Sequence, residues 1–281
     1  MTLDPSATVQ AVRERLRLEL LPEAGAGGGA LDVTVGLVGP HQAANVATAV
    51  ATARVLRAQG WQLPDEALAR GLSEAALPGR FQVVKMPGPD GPWVVLDGAH
   101  TPDSAAALVA AMQAAFLART PAPSSPTASV PGAAPPPSNA GRGPGSGPPV
   151  ALLLAMAEDK EHRGVVAELR RLGPRVAVFT RVPIAGSYQR AAAPGTLAGH
   201  WQAAAMLAPP TQRPVRCREL LQASLGAAFD KALQELRALR VQRPAGPGAA
   251  DPGPGVVLIT GSLHAVAEAH KLPELGPLLR G

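Results

Sequence analysis

The sequence predicts an α/β protein: a Rossmann-like, mainly parallel sheet with helices on both faces. Three observations carry that prediction. From about residue 81 onward, short apolar runs alternate with stretches of helical periodicity, the pattern of parallel strands joined by crossover helices. Runs such as Ala151–Met156 and Val256–Ile259 are continuously apolar, as strands covered on both faces require. One run also leads straight into a helix start: after Trp93–Leu96, Asp97 and Gly98 end the strand, Thr101 is a good N-cap and Pro102 suits the first helical position.

Taken in order, Leu31–Leu37 alternates weakly and ends at Gly39-Pro40, a strand and its turn. A helix over 41–59 follows, with Val46, Ala49, Val50, Ala53 and Leu56 in one stripe and Gly60 as its stop. His41 and Asn45 are i,i+4 neighbours in its first turn. Pro64 opens a second helix to about 76, and Leu77-Pro78-Gly79-Arg80 then breaks the pattern, as a hinge between domains would. Beyond it, strands are predicted at 81–85, 93–97, 150–156, 175–180, 214–217 and 256–260, separated by helices at 102–118, 160–172, 196–206, 219–240 and 262–271. Pro22–Ala30, Thr120–Pro149 and Gln242–Gly255 concentrate Gly, Pro and Ala and cannot bury enough apolar surface to offset ordering entropy. They are read as flexible insertions; the latter two fall between a helix and the next strand, opposite the ligand edge of such a sheet.

Asp97 and His100 sit where a strand's carboxyl end meets the positive end of a helix dipole, a place that attracts anions. Ala157-Glu158-Asp159-Lys160, Thr180-Arg181 and Thr260-Gly261-Ser262 occupy corresponding strand ends. On these residues alone Asp97 reads equally as a turn cap, His100 as a surface histidine and Ser262 as an ordinary N-cap.

Composition narrows the function. The formal charge is +5, yet only Lys85, Lys160, Lys231 and Lys271 of the 26 basic residues are lysines. The arginines lie in segments such as 13–17 and 163–175, interleaved with Glu and Leu in the manner of solvated helical faces. With 3% aromatic residues, stacking platforms for nucleic acid are nearly absent. Cys217 is the sole cysteine, which suits a reducing compartment and excludes a disulfide framework. His41, His100, His162, His200, His264 and His270 show no metal-ligand spacing, so no metal site is expected in the chain. No apolar stretch is long enough to span a membrane, and the N-terminus lacks a secretory h-region; a cytoplasmic or organellar protein is expected. No Gly-x-x-x-x-Gly-Lys-Ser/Thr loop or Gly-x-Ser-x-Gly elbow occurs, and the loose dinucleotide fingerprint at 25–30 follows no convincing strand.

Gly39-Pro40-His41-Gln42-Ala43-Ala44-Asn45, Leu77-Pro78-Gly79-Arg80-Phe81-Gln82, Leu96-Asp97-Gly98-Ala99-His100-Thr101-Pro102, Ala155-Met156-Ala157-Glu158-Asp159-Lys160 and Thr260-Gly261-Ser262-Leu263 occur in a telling order. Each is short, but together they resemble the folylpolyglutamate and dihydrofolate synthases of the Mur ligase superfamily over roughly residues 31–271. The sister muramyl ligases typically carry Asp-Tyr-Ala-His where this chain has Asp97-Gly98-Ala99-His100. The resemblance implies a reaction in which ATP phosphorylates a carboxylate of dihydropteroate or of a folate glutamate tail. The amine of L-glutamate then displaces phosphate. It also implies that Asn45 hydrogen-bonds the adenine end of ATP, Arg80 meets the phosphates and Asp97 helps hold the nucleotide, with His100 and Ser262 lining the cleft near the reacting groups.

By the same resemblance, residues 1–78 are the end of a central ATPase domain and 79–281 a Mur ligase C-terminal domain with disordered insertions at 120–149 and 242–255. The P-loop, the Mg2+ ligands and most of the folate site belong to the family's N-terminal ATPase domain and are not in this sequence. The chain alone is therefore expected to turn over negligibly, with a separate ATPase domain as partner, and to be otherwise monomeric. A non-catalytic nucleotide-binding or regulatory module derived from that domain is the alternative.

Overall fold

The computed structural model of the chain describes residues 2–3, 12–20, 29–37, 39–117, 147–207, 217–242 and 253–280. Its N-terminal part is an antiparallel sheet of β1 (Thr2–Leu3), β2 (Val12–Leu20) and β3 (Gly29–Val35), in that order, followed by α1 (Pro40–Ala58) and α2 (Asp65–Glu74). Val33 and Val35 pack with Val46 and Val50 of α1, and Leu16, Leu18, Leu68 and Leu72 close the cluster.

Strand β2 corrects the reading of residues 13–17 as a helical face. Leu16 and Leu18 alternate with exposed Arg15, Arg17 and Glu19, a period of two, and Leu16 faces Val33 in the antiparallel register. The 25–30 fingerprint therefore does follow a strand. It leads into β3 and not into a helix, so it lacks the helix N-terminus that a pyrophosphate would need.

The rest of the chain builds a six-stranded sheet in the order β4-β5-β9-β6-β7-β8. Its strands are β4 (Gln82–Lys85), β5 (Trp93–Leu96), β6 (Val150–Leu154), β7 (Val176–Phe179), β8 (Arg218–Leu221) and β9 (Val256–Thr260). Only the β4–β5 pair is antiparallel. Against one face lie α3 (Pro102–Met112), α4 (His162–Arg170) and α5 (Pro194–Leu207); against the other lie α6 (Leu225–Val241), α7 (Leu263–Ala269) and α8 (Gly276–Arg280). The continuous apolar runs serve both layers: in β6, Leu152 and Leu154 join the first cluster, Ala151 and Leu153 the second. The expected α/β class, with a mainly parallel sheet and helices on both faces, is the class observed.

The largest boundary shifts are at β8 and α6. The strand expected at 214–217 is β8 at Arg218–Leu221, residues 214–216 lying outside those described, and the helix expected from 219 starts at Leu225. Helix α6 starts there because Ser224 accepts a hydrogen bond from Ala227 N; Arg218 of β8 then pairs with Glu235 of that helix at 2.6 Å. Helix α3 runs on into a π turn, Gln113–Leu117, that seats Phe116 against Trp93, and α8 adds an unexpected last helix. Most of the two long insertions falls outside the described residues. Their edges do not: Pro149 O accepts from Val256 N, and Gly255 O from Trp93 N, so both flanks already join the sheet.

Strand β9 lies between β5 and β6, yet its following helix α7 sits on the opposite face from α3 and α4. The chain thus parts in opposite directions at the carboxyl ends of neighbouring strands. Such a switch point opens a crevice, the usual ligand position in an open α/β sheet.

Candidate functional site

Four of the five predicted site residues, Arg80, Asp97, His100 and Ser262, converge on that crevice. Asp97 leaves β5 with its N–H donated to Ile259 O of β9. Its Oδ2 accepts from Phe81 N and its Oδ1 from Ala99 N, both at 2.8 Å. Gly98 N donates to Gly79 O at 2.8 Å, so the turn after β5 is bonded twice to the segment that carries Arg80. Phe81 is buried and adopts φ 47°, a left-handed conformation uncommon for a bulky residue, and the Asp97 bond holds it there. The guanidinium of Arg80 is exposed, with no ion-pair partner among the described residues.

His100 is half-buried, and its Nδ1 lies 2.7 Å from Gly98 O. A carbonyl can only accept, so Nδ1 carries a proton, and it is Nε2 that holds the lone pair of the neutral ring. Its backbone N–H donates to Ser104 Oγ, part of the capping box in which Thr101 Oγ1 also accepts from Ser104 N.

Ser262 is buried and caps α7, its Oγ accepting from Ala265 N at 3.1 Å. Just before it, Gly261 has φ 104°, and a Cβ there would stand 2.6 Å from Ala155 O: the exits of β9 and β6 approach too closely for any side chain. Buried Thr260 reaches Ala99 O at 3.5 Å, bringing the same exit against the β5 turn.

Asn45 lies apart. It is exposed on α1 and donates through Nδ2 to Gln42 Oε1 at 3.0 Å, on a different element from the strand-end residues. Helix α1 does approach α3, the helix that begins at the site.

Beyond β6, Asp159 lies 3.8 Å from Lys160 and 3.6 Å from Arg190, and Glu158 N donates to Arg190 O, tying this exit to the loop after β7. His162, buried at the start of α4, points Nε2 at Ala157 O at 2.7 Å, and its ring lies 5.6 Å from that of His200, tilted by 50°. Burial, then the neighbouring His162 and Arg163, lower the His200 pKa below the usual histidine value. Among the described residues no three His, Cys, Asp or Glu side chains converge to hold a metal ion.

Two contributors were not singled out. Gln82 sits in an apolar strand within a quoted motif, and its burial is the signal that was available. His270, which bonds it, is far away in sequence and carries no local signal.

No family model matches the chain. It is 47% identical over 76 residues to a probable bifunctional folylpolyglutamate synthase/dihydropteroate synthase of Haloferax volcanii, a match covering 27% of this chain and 8% of that protein. It is 36% identical over 86 residues to the folylpolyglutamate synthase of Lacticaseibacillus casei, covering 30% of this chain and 19% of that one. Among solved structures, Mycobacterium tuberculosis folylpolyglutamate synthase complexed with ADP superposes with a TM-score of 0.57 at 25% identity, over 85% of this chain and 42% of that one. A ligand-free bifunctional folylpolyglutamate synthase/dihydrofolate synthase of Yersinia pestis gives 0.51 at 26% identity, over 88% and 43%. The matches thus span under a fifth of those curated relatives and under half of those solved chains.

Proposed function

We propose that this chain, a homologue of the folylpolyglutamate and dihydrofolate synthases through their C-terminal portion, forms the C-terminal wall of a cleft in which ATP drives ligation of L-glutamate to a folate or dihydropteroate carboxylate. The observation that carries the proposal is the clamped turn at the switch point: an exposed Arg80, without an ion-pair partner among the described residues, presented by backbone bonded to Asp97. A guanidinium so placed pairs with phosphoryl oxygens, and Asp97 keeps it beside the strand ends where a nucleotide would lie. In this reading Asp97 also meets the ribose and Asn45 the adenine, and residues 1–78 belong with a central ATPase domain.

The chemistry needs a carboxylate oxygen made into a leaving group. Transfer of the γ-phosphoryl group to the carboxylate breaks the bond to ADP and forms an acyl phosphate. The amine nitrogen of L-glutamate then bonds to the acyl carbon, the C–O bond to phosphate breaks with its electron pair, and the ammonium proton must be accepted. Because Nδ1 donates to Gly98 O, the neutral His100 ring presents its lone pair at Nε2, which suits that acceptor. The Ser262 hydroxyl keeps its own proton to donate while capping α7. Magnesium, when bound, would neutralise phosphoryl charge. The described residues offer no ligand set for it, and the steps given to this chain run through its side chains and backbone.

The test is titration of ADP into the chain, followed by glutamate-dependent phosphate release with the chain joined to the ATPase portion of a relative. Arg80→Ala should weaken ADP about tenfold or more, the loss of one charge-assisted pair. Equal affinity in both proteins refutes the site assignment. ADP binding without glutamate-dependent turnover in the joined enzyme favours a nucleotide-binding module instead.

A further inference from the structure

The turn that presents Arg80 is held from a second side. Gln82, 7% exposed in the first position of β4, accepts at Oε1 from Gly79 N at 3.3 Å and from His270 Nε2 at 3.1 Å. His270 caps the C-terminus of α7, and its backbone N–H donates to Val266 O. Val266 is the residue that a Cβ on Gly79 would strike, at 2.9 Å. Gly79, with φ 72°, and Phe81, with φ 47°, flank Arg80 in backbone conformations that L side chains rarely adopt. A turn of this kind persists only when its surroundings over-determine it. Here they do: Asp97 and Gly98 grip it from the β5 exit, and Gln82 of β4 holds it on the other side, backed by Val266 and His270 of α7, the helix that Ser262 caps. The two halves of the crevice are thereby joined through the Arg80 turn.

We infer that Gln82 and His270 are positioning residues for Arg80, forming with Asp97 a two-sided clamp that fixes where the guanidinium projects. The inference rests on the reading of Arg80 as a phosphate-binding residue. Neither residue need touch a ligand. Their effect passes through the Gly79–Phe81 backbone, and each bond of the relay is between groups that are buried or half-buried.

Two measurements on the full chain separate this inference from the reading it rests on. The first needs no nucleotide: amide hydrogen exchange in wild type, Gln82→Leu and His270→Leu. Both variants should speed exchange at Gly79, Phe81 and Gly98 about tenfold, the loss of one net hydrogen bond, with β6 and β9 amides unchanged. Unchanged exchange at those three amides overturns the inference whatever the nucleotide does. The second is a double-mutant cycle read by ADP titration. Gln82→Leu alone should weaken ADP several-fold, Gln82→Glu, whose carboxylate accepts both N–H groups, should restore it, and Gln82→Leu should add nothing in the Arg80→Ala background. Independent, multiplying losses overturn the positioning role. Loosened exchange with ADP affinity unmoved in Arg80→Ala itself keeps the clamp and rejects the phosphate reading.

Discussion

Replacing Asp97 by alanine tests the link between fold and site. The carboxylate accepts two backbone hydrogen bonds of 2.8 Å, from Phe81 N and Ala99 N. Both donors belong to buried residues, 5% and 2% exposed. A hydrogen bond to a charged acceptor contributes about 1.5–3 kcal/mol. Asp97 is itself half-buried, so water replaces part of the loss and the lower end applies to each bond, giving about 3 kcal/mol in all for Asp97→Ala. In a protein of this size 1 kcal/mol moves Tm by roughly 2–4 °C, so the midpoint should fall by about 6–12 °C. Asp97→Asn keeps one acceptor oxygen and should lose roughly half as much. The assay is thermal unfolding followed by near-ultraviolet circular dichroism at pH 7. ADP titration at 25 °C, where the variant remains folded, is run beside it. A midpoint within about 2 °C of wild type, less than 1 kcal/mol, would show that the carboxylate does not organise the turn and would refute the reasoning.

Three further predictions follow from separate parts of the molecule. Gly261→Ala combines a φ of 104° with a Cβ placed 2.6 Å from Ala155 O, and should cost about 3–5 kcal/mol in chemical denaturation; a loss under about 1 kcal/mol contradicts the packing described. Burial lowers the pKa of His200, with His162 and Arg163 adding to it, and burial with Arg280 lowers that of His270. The folded state then binds fewer protons than the unfolded state. Stability is fully present above the unfolded histidine value near pH 6.5 and lost as pH falls through the lower folded values. Tm should drop between pH 7.5 and 5.5, and His200→Gln/His270→Gln should flatten that drop; an unaltered slope rejects it. The Cys217 thiol, pushed up to about 12 by burial and Glu219, should resist an exposed-thiol reagent at pH 8 until the protein unfolds. Prompt stoichiometric labelling of the native chain would contradict it.

Much of the fold was legible because it rests on local signals. The runs at 93–96, 150–154 and 256–260 are apolar without interruption, and burial on both faces is what such runs demand. Thr101, Ser224 and Ser262 each proved to be N-caps, though Ser224 was overlooked and the start of α6 was misplaced with it. The β2 strand was missed for a different reason. Its charges dominated the reading, while its Leu16–Leu18 alternation carried the true period.

The strand-end arrangement could be read from order along the chain: an acid and an imidazole between an apolar run and a capped helix mark a candidate site wherever the strand lies. Sequence alone therefore determined the class of the fold and offered Arg80, Asp97, His100 and Ser262 as candidates, the last three at the carboxyl ends of its strands. Sheet order was another matter. That β9, the last strand in sequence, inserts between β5 and β6 depends on which long-range pairing buries the most apolar surface, and no local pattern encodes it. The same insertion brings the β9 exit against the β5 turn, through Asp97 N to Ile259 O and Thr260 Oγ1 to Ala99 O, and sets His270 against Gln82, far apart in sequence. Only the tertiary structure could decide that the Arg80 turn is gripped from both sides: Gly79 N to Gln82 Oε1 is local, but the bonds from Phe81 N to Asp97, Gly98 N to Gly79 O and His270 to Gln82 join segments that meet only once the sheet has closed.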